Sequence, residues 1–269
     1  MSNLDVTKEQ RARWQVPNFE TDSFRERRHP WCVVIPVINE GARIQNLLAG
    51  MYKLGVHEQA DIIIIDGGST DDSLGHVFLE SKSVTALLIK KDKGRLSAQL
   101  RCAYAYALDQ GYQGIVTIDG NDKDDPEAIN KFITALENGV DFAQASRFIP
   151  GGVAENTPPM RNFAIKCIHA PMLSLCSGFR WTDTTQGFRA YSRKMLVDPH
   201  ISPFRDVFSG YELLAYLSYR APKLGYRCIE IPTLRRYPKG EVPTKISAIR
   251  GNLSVLAVLF KACSGGYNP

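Results

Sequence analysis

Residues 117–127 read TIDGNDKDDPE, a run of carboxylates holding one asparagine and one lysine, directly behind the apolar stretch QGIVTI. Carboxylates packed this closely repel one another unless positive charge is held among them. Similar polar clusters recur along the first half of the chain. They carry Pro36, Asn39 and Glu40 in IPVINE, Asp66 in IIIIDGGSTDDS, Lys93 and Arg95 in KKDKGR, and Arg147 in ASRF. Carboxylate and amide oxygens bind cations or accept hydrogen bonds, whereas Lys and Arg bind phosphates. A calcium loop explains the acidic run poorly. With Asp119 and Asn121 at its first and third positions, the fifth is Lys123, the sixth is Asp124 where glycine is needed, and the last is Asn130.

Each cluster follows a segment that reads as a buried strand. WCVVIPV, ADIIIID, VTALLIK, GIVTID and VDFAQASRF are β-branched or apolar runs of strand length. Between them lie helical patterns: NEGARIQNLLAGMYKLG, STDDSLGHVFLES, the amphipathic LSAQLRCAYAYALDQG, and PEAINKFITALENG with Pro at its start and Gly at its end. Alternation of this kind predicts an α/β fold, a doubly wound and mostly parallel sheet with helices on both faces. Ligands of such sheets collect at the carboxyl ends of the strands, where the clusters fall. Residues 1–30 read as a surface extension, and residues 31–150 as the α/β half. Residues 151–250 continue the same compact unit, with TTQGFRAYS as an edge strand, FSGYELLAYLSYRAPKLG as a long helix and RCIEIPTLRRY as a further strand. Residues 251–269 form the end of an amphipathic helix and a tail.

Neither G-x-G-x-x-G after the first strand nor G-x-x-x-x-G-K-[ST] occurs, which excludes two common nucleotide-binding schemes. IPVINE, IIIIDGGSTDDS, KGRLSAQ, IDGNDKDDPE, ASRFIPGG, DTTQGFRAYS and IEIPTLRRYPKGE, in that order, resemble the family 2 glycosyltransferases of the GT-A fold. The closest match is to the branch of dolichyl-phosphate mannosyltransferase and bacterial polyprenyl-phosphate glycosyltransferases. The resemblance implies a UDP- or GDP-sugar donor and inversion at the anomeric carbon. It places Pro36, Asn39, Glu40 and Asp66 at the nucleoside, with Gly67 where a second aspartate is usual. Lys93, Arg95, Arg236 and Lys245 then face the phosphates, as do Arg147 and Arg189. A Mg²⁺ or Mn²⁺ ion is expected at Asp119, with Asn121 and Asp122 as further oxygen ligands. Asn121 brings no charge, and Lys123 opposes a cation.

A polyprenyl-phosphate acceptor is ionised already and needs no strong base. A sugar hydroxyl, in a cell-surface glycan or a growing polysaccharide, needs a positioned carboxylate, for which Asp183 and Glu212 are the candidates. From Arg220 to Pro269 nine Lys or Arg face only Glu230 and Glu241, so this segment carries +7 of the net +5 and the rest sums to −2. Such a tail suits phosphates, nucleic acid or an anionic membrane. A nucleic-acid-binding module is the rival reading, but no RNA or DNA motif accompanies the charge. The donor-making nucleotidyltransferases, of similar fold, start with a Gly-rich loop that IPVINEGAR lacks. Leu253 to Phe260 falls short of the roughly 20 apolar residues that span a bilayer, and the polar N-terminus reads as no signal peptide. Scattered cysteines without a C-x-x-C pair suggest buried thiols and a cytoplasmic location. KISAIRGNLSVLAVLFKAC either packs on the body or lies peripherally on the inner face of the cell membrane. The residues neither fix nor exclude an oligomer.

Overall fold

A computed structural model describes residues 6–238 and 250–269. Among the described residues ten strands form in chain order: β1 (Phe19–Ser23), β2 (Trp31–Val37), β3 (Asp61–Asp66), β4 (Val84–Lys90), β5 (Gly114–Thr117), β6 (Phe142–Ser146), β7 (Val153–Glu155), β8 (Arg189–Ser192), β9 (Cys228–Pro232) and β10 (Leu234–Arg236). Eight build one sheet in the order β1-β4-β3-β2-β5-β8-β6-β9, and β7 with β10 makes a short parallel pair beside it. The β2–β3, β3–β4, β2–β5 and β6–β9 pairings are parallel, so the fold is the expected α/β unit with a mostly parallel sheet.

The isoleucine run of β3 shows why the sheet must be covered twice. Ile63 and Ile65 enter one core with Cys32 and Val34, while Ile62 and Ile64 enter the other with Val33 and Ile35. Each fully buried Ile stabilises the fold by roughly 1.5–3 kcal/mol. The helices Leu96–Asp109 and Glu212–Lys223 close the first core, and Ala42–Lys53 and Ile129–Glu137 close the second. Leu96–Asp109 is buried nearly all round rather than amphipathic. The N-terminal arm lies over it: Cys102 reaches Pro17 O, and Arg101 donates to Gln15 O.

Two strands differ from expectation. β8 is not an edge strand but runs antiparallel between β5 and β6, where Arg189 lies opposite both Thr117 and Gln144. Within the surface extension, β1 pairs antiparallel with β4 and so extends the sheet. The order β4-β3-β2-β5 reverses direction at β2. A crevice therefore opens at the carboxyl ends of β2 and β5. The two ends nearly touch, since a Cβ on Gly120 would stand 3.1 Å from Pro36 O.

Candidate active site

On one side of the crevice, the loops after β2 and β3 are laced together. Buried Asp66 accepts hydrogen bonds from Ser69 N at 2.9 Å and Ser69 Oγ at 2.6 Å. Asn39 adopts a left-handed φ of 49°, which turns its Oδ1 to accept from Thr70 N at 2.8 Å. Its own N–H donates to Ser69 Oγ at 3.0 Å. Glu40 lies 3.7 Å from Arg43, and Pro36 is buried beneath. The result is a cleft of about 310 Å³ lined by Asp66, Ser69, Asp71, Asp72, Gly75 and His76. A Cβ on Gly67 would stand 2.8 Å from Gln99 Nε2, so a larger residue here would have to move that amide from Val37 O and Ile65 O, which hold it. Lys93 and Arg95 lie exposed on the loop after β4. The Arg95 N–H donates to Ser209 O at 2.6 Å.

Across the crevice, the acidic run does not gather into one ligand set. Asp124 is buried against Arg235, Nη1 to Oδ2 at 2.5 Å, and Arg235 Nη2 reaches Asp119 Oδ2 at 3.4 Å. The loop is strapped to β10 as well, through Asp125 N to Leu234 O and Arg236 N to Lys123 O. Burial pushes the Asp124 carboxyl up, against the pull of Arg235. Asn121 Oδ1 turns back to its own loop and accepts from Lys123 N at 3.3 Å. Asp122, exposed with φ 55°, points beside Asn46 and Arg236. Of the expected Asp119, Asn121 and Asp122 set, only Asp119 offers the corner a carboxylate. Among the described residues no three His, Cys, Asp or Glu meet where they could hold a metal ion. An ion at Asp119 would take its other ligands from substrate and water.

Asp119 is aimed by the turn that enters β8. A Cβ on Gly187 would fall 2.1 Å from Asp119 Oδ1, so only glycine lets the carboxylate lie there. The same turn carries Asp183 and leads into Arg189, and both depart from expectation. Asp183 is fully buried and gripped by Arg147 through Nε at 2.7 Å and Nη2 at 3.1 Å, with Gln186 Nε2 at 2.6 Å. It is a bidentate anchor, not a base open to an acceptor. Arg189, also fully buried, donates to Gln186 O, Leu214 O, Thr184 O and Ser218 Oγ, so it locks the turn instead of facing a phosphate. Glu230 on β9 supports the turn from behind by accepting from Thr182 N and Asp183 N. Glu212 accepts from Gly210 N at 2.6 Å and so holds the loop that Arg95 and Ser97 contact.

A cationic pocket adjoins Asp119. Tyr237 is buried, its Oη accepts from Arg161 Nη1 at 2.9 Å, and Lys123 Nζ and the Arg235 guanidinium lie 5.3 and 5.8 Å from its ring centroid. Burial alone would raise the phenol, yet Arg235 and Arg161 bring it down to about 8. Burial also lowers the Lys123 ammonium. Arg147 Nη1 is buried without a hydrogen-bond partner among the described residues, an orphaned donor beside this group. Arg236, expected at the phosphates, is exposed and pairs instead with Glu155 at 2.5 Å. Lys245 and Lys239 lie outside the described residues. Arg161 and Tyr237 were not foreseen. Arg161 comes two residues after the pair Pro158-Pro159 and is the one charge of the helix Pro159–Ala164, a weak local signal.

Known proteins resemble this chain in sequence and in fold. The glycosyl transferase family 2 model matches residues 32–198, more than half of the chain. The chain is 27% identical over 203 residues to a polyprenol monophosphomannose synthase of Mycolicibacterium smegmatis, covering 74% of this chain and 75% of that one. It is 26% identical over 231 residues to a dolichyl-phosphate hexose transferase of Haloferax volcanii, covering 86% and 92%. Its fold matches glucosyl-3-phosphoglycerate synthase from Mycobacterium tuberculosis, solved with Mn²⁺, UDP-glucose and phosphoglyceric acid. That match has a TM-score of 0.59 at 16% identity, over 90% of this chain and 80% of that one. The protein is a glycosyltransferase, and its chain belongs to glycosyl transferase family 2.

Proposed function

We propose that the enzyme moves a sugar from a UDP- or GDP-sugar to the phosphate of a polyprenyl phosphate, inverting the anomeric carbon. The relatives named above act on polyprenol or dolichyl phosphate, and the fold neighbour was solved with UDP-glucose. The observation that carries the choice of acceptor is the state of the two candidate bases. Asp183 is buried and engaged by Arg147 and Gln186, and Glu212 accepts from Gly210 N on the loop beside Arg95, whereas Arg147, Arg161, Arg235 and Lys123 converge around Tyr237. A corner rich in fixed cations and poor in open carboxylates suits an anionic nucleophile better than a hydroxyl that must lose a proton.

In this reading residues 31–150 hold the donor, with its base in the cleft at Asp66 and its diphosphate toward Asp119. Residues 151–250 present the acceptor. A phosphate oxygen of the acceptor forms a bond to the anomeric carbon as the bond to the donor diphosphate breaks. The nucleoside diphosphate departs with the electron pair, and no proton is moved. Fixed guanidinium groups stabilise the charge that grows on the leaving oxygen. A Mg²⁺ or Mn²⁺ ion held at Asp119 would add Lewis-acid charge to that oxygen. The exposed apolar side chains of the helices Pro159–Ala164, Ala170–Ser177 and Arg250–Cys263 would rest on the membrane that holds the acceptor.

The test is a panel of UDP- and GDP-sugars with undecaprenyl phosphate and, separately, oligosaccharide acceptors, read by mass spectrometry. A lipid-linked sugar phosphate from one donor is expected, and Asp119→Ala should slow its formation by about 100-fold. Transfer to oligosaccharide hydroxyls alone would refute the acceptor assignment.

A further inference from the structure

The arm before β2 borders the cleft at Asp66. β1 pairs antiparallel with β4 so that Asp22 stands opposite Leu87, and Glu20 opposite Ile89. Leu87 and Ile89 line the cleft, and directly opposed residues project from the same face of a sheet. Asp22 therefore faces the cleft, where its Oδ2 lies 3.2 Å from Nε2 of His76, a further lining residue. The Phe24 ring meets the same imidazole in a T-shaped contact, centroids 5.3 Å apart. Nearer its start, the arm grips the loop after β4. Asn18 N donates to Asp92 Oδ2 at 2.7 Å, Asn18 O accepts from Lys91 N at 2.9 Å, and Glu20 pairs with Lys91 at 2.6 Å. Lys93 and Arg95 follow on that loop. The arm is itself tied down. Gln15 N donates to Phe204 O and Gln15 Oε1 accepts from Asp206 N, both at 2.8 Å, while Trp14 stacks on Phe204.

We propose that the arm is a positioning element of the donor site. Asp22 and Phe24 set the His76 ring as a wall against the base, and Asn18 sets the loop that brings Lys93 and Arg95 to the diphosphate. The inference rests on the nucleotide-sugar reading above and adds to the site a segment that precedes the residues matching the family. An imidazole whose Nε2 is held by a carboxylate keeps one orientation and one tautomer. A loop anchored in advance loses less freedom when its ligand binds.

Asp22→Ala and Asp92→Ala, made in the full chain, separate the two contacts. Calorimetry with UDP and GDP, and saturation-transfer NMR with uridine and guanosine, reads them. For whichever base binds native protein, Asp22→Ala should weaken nucleoside and diphosphate alike by ~5–10-fold. Asp92→Ala should weaken the diphosphate by ~5-fold or more and leave the nucleoside within ~2-fold of native affinity. Asp22→Asn and Asp92→Asn keep an acceptor oxygen and should restore native binding. A segment that only stabilised the fold would not split nucleoside from diphosphate, and its loss would follow Tm. Native affinity for both ligands in either alanine variant would overturn this inference and leave the donor reading standing. So would equal loss of both ligands in Asp92→Ala. Failure of native protein to bind either diphosphate would overturn the two together.

Discussion

Tyr237 shows how single residues take their chemistry from neighbours distant in sequence. Its phenol titrates near 10 when unfolded but is brought down to about 8 in the folded protein by Arg235 and Arg161, against the effect of burial. An acid whose pKa falls on folding adds stability above its unfolded value, and that stability is lost as the pH falls through the folded value. Native protein should therefore gain on Tyr237→Phe between pH 8 and 10, by on the order of 2 kcal/mol at most. The check is denaturant unfolding of both across that range, with phenolate absorbance reporting one tyrosine of native protein titrating near pH 8. A gap independent of pH would mean that the phenol stays neutral. The Arg147–Asp183 pair makes the opposite case, since it is buried whole. Asp183→Asn would strand the Arg147 charge, and a loss of about 3–5 kcal/mol is expected from urea unfolding.

At the scale of elements, the strands were legible wherever β-branched residues run unbroken, as in WCVVIPV and ADIIIID, because burial on both faces demands such runs. FETDS alternates with charge and is half-exposed, so β1 carries no comparable signal. RAYS reads as a strand, but its central, antiparallel place depends on β5 and β6 leaving a gap, which no local pattern encodes. The site divides the same way. Asp66 and Asp119 were visible as residue types at strand ends. Their partners are not local: Asp183 stands 36 residues from Arg147, and Arg235 stands 111 from Asp124. Gly187 links the two levels, since the β8 turn must pass within a missing side chain of Asp119. Gly187→Ala should displace that carboxylate by about 1 Å and slow turnover by ~100-fold. Far-ultraviolet circular dichroism should remain that of the native fold. Unchanged turnover would mean that Asp119 has another position during catalysis.

For the molecule as a whole, the proposed acceptor would have to bring a chain that lies in lipid to a crevice at the carboxyl ends of β2 and β5. No helix among the described residues is long and apolar enough to cross a membrane. The described residues nevertheless expose Met160 at 80%, Leu175 at 86%, Phe163 and Phe260, and of the helices that carry them Ala170–Ser177 and Arg250–Cys263 pack together. The helix Arg250–Cys263 does pack on the body, through buried Leu259 and Ala262, and only part of it faces outward. The helix Pro159–Ala164 joins this surface to the site, because Arg161 on it donates to Tyr237 while Met160 and Phe163 point away. Seating those side chains in the headgroup region would bring a lipid phosphate to the depth of the cationic corner. Lys166 and Lys261, on the same helical segments, favour anionic lipid. Each large apolar side chain inserted contributes roughly 1.5–3 kcal/mol. Phe163→Asp with Leu175→Asp should then weaken flotation with phosphatidylglycerol vesicles by ~100-fold. The variant should still bind UDP or GDP as the native protein does, because neither position touches the donor cleft. If the double variant floats as well as native protein, lipid is reached by another face, and the corner around Tyr237 would need a different route to its phosphate.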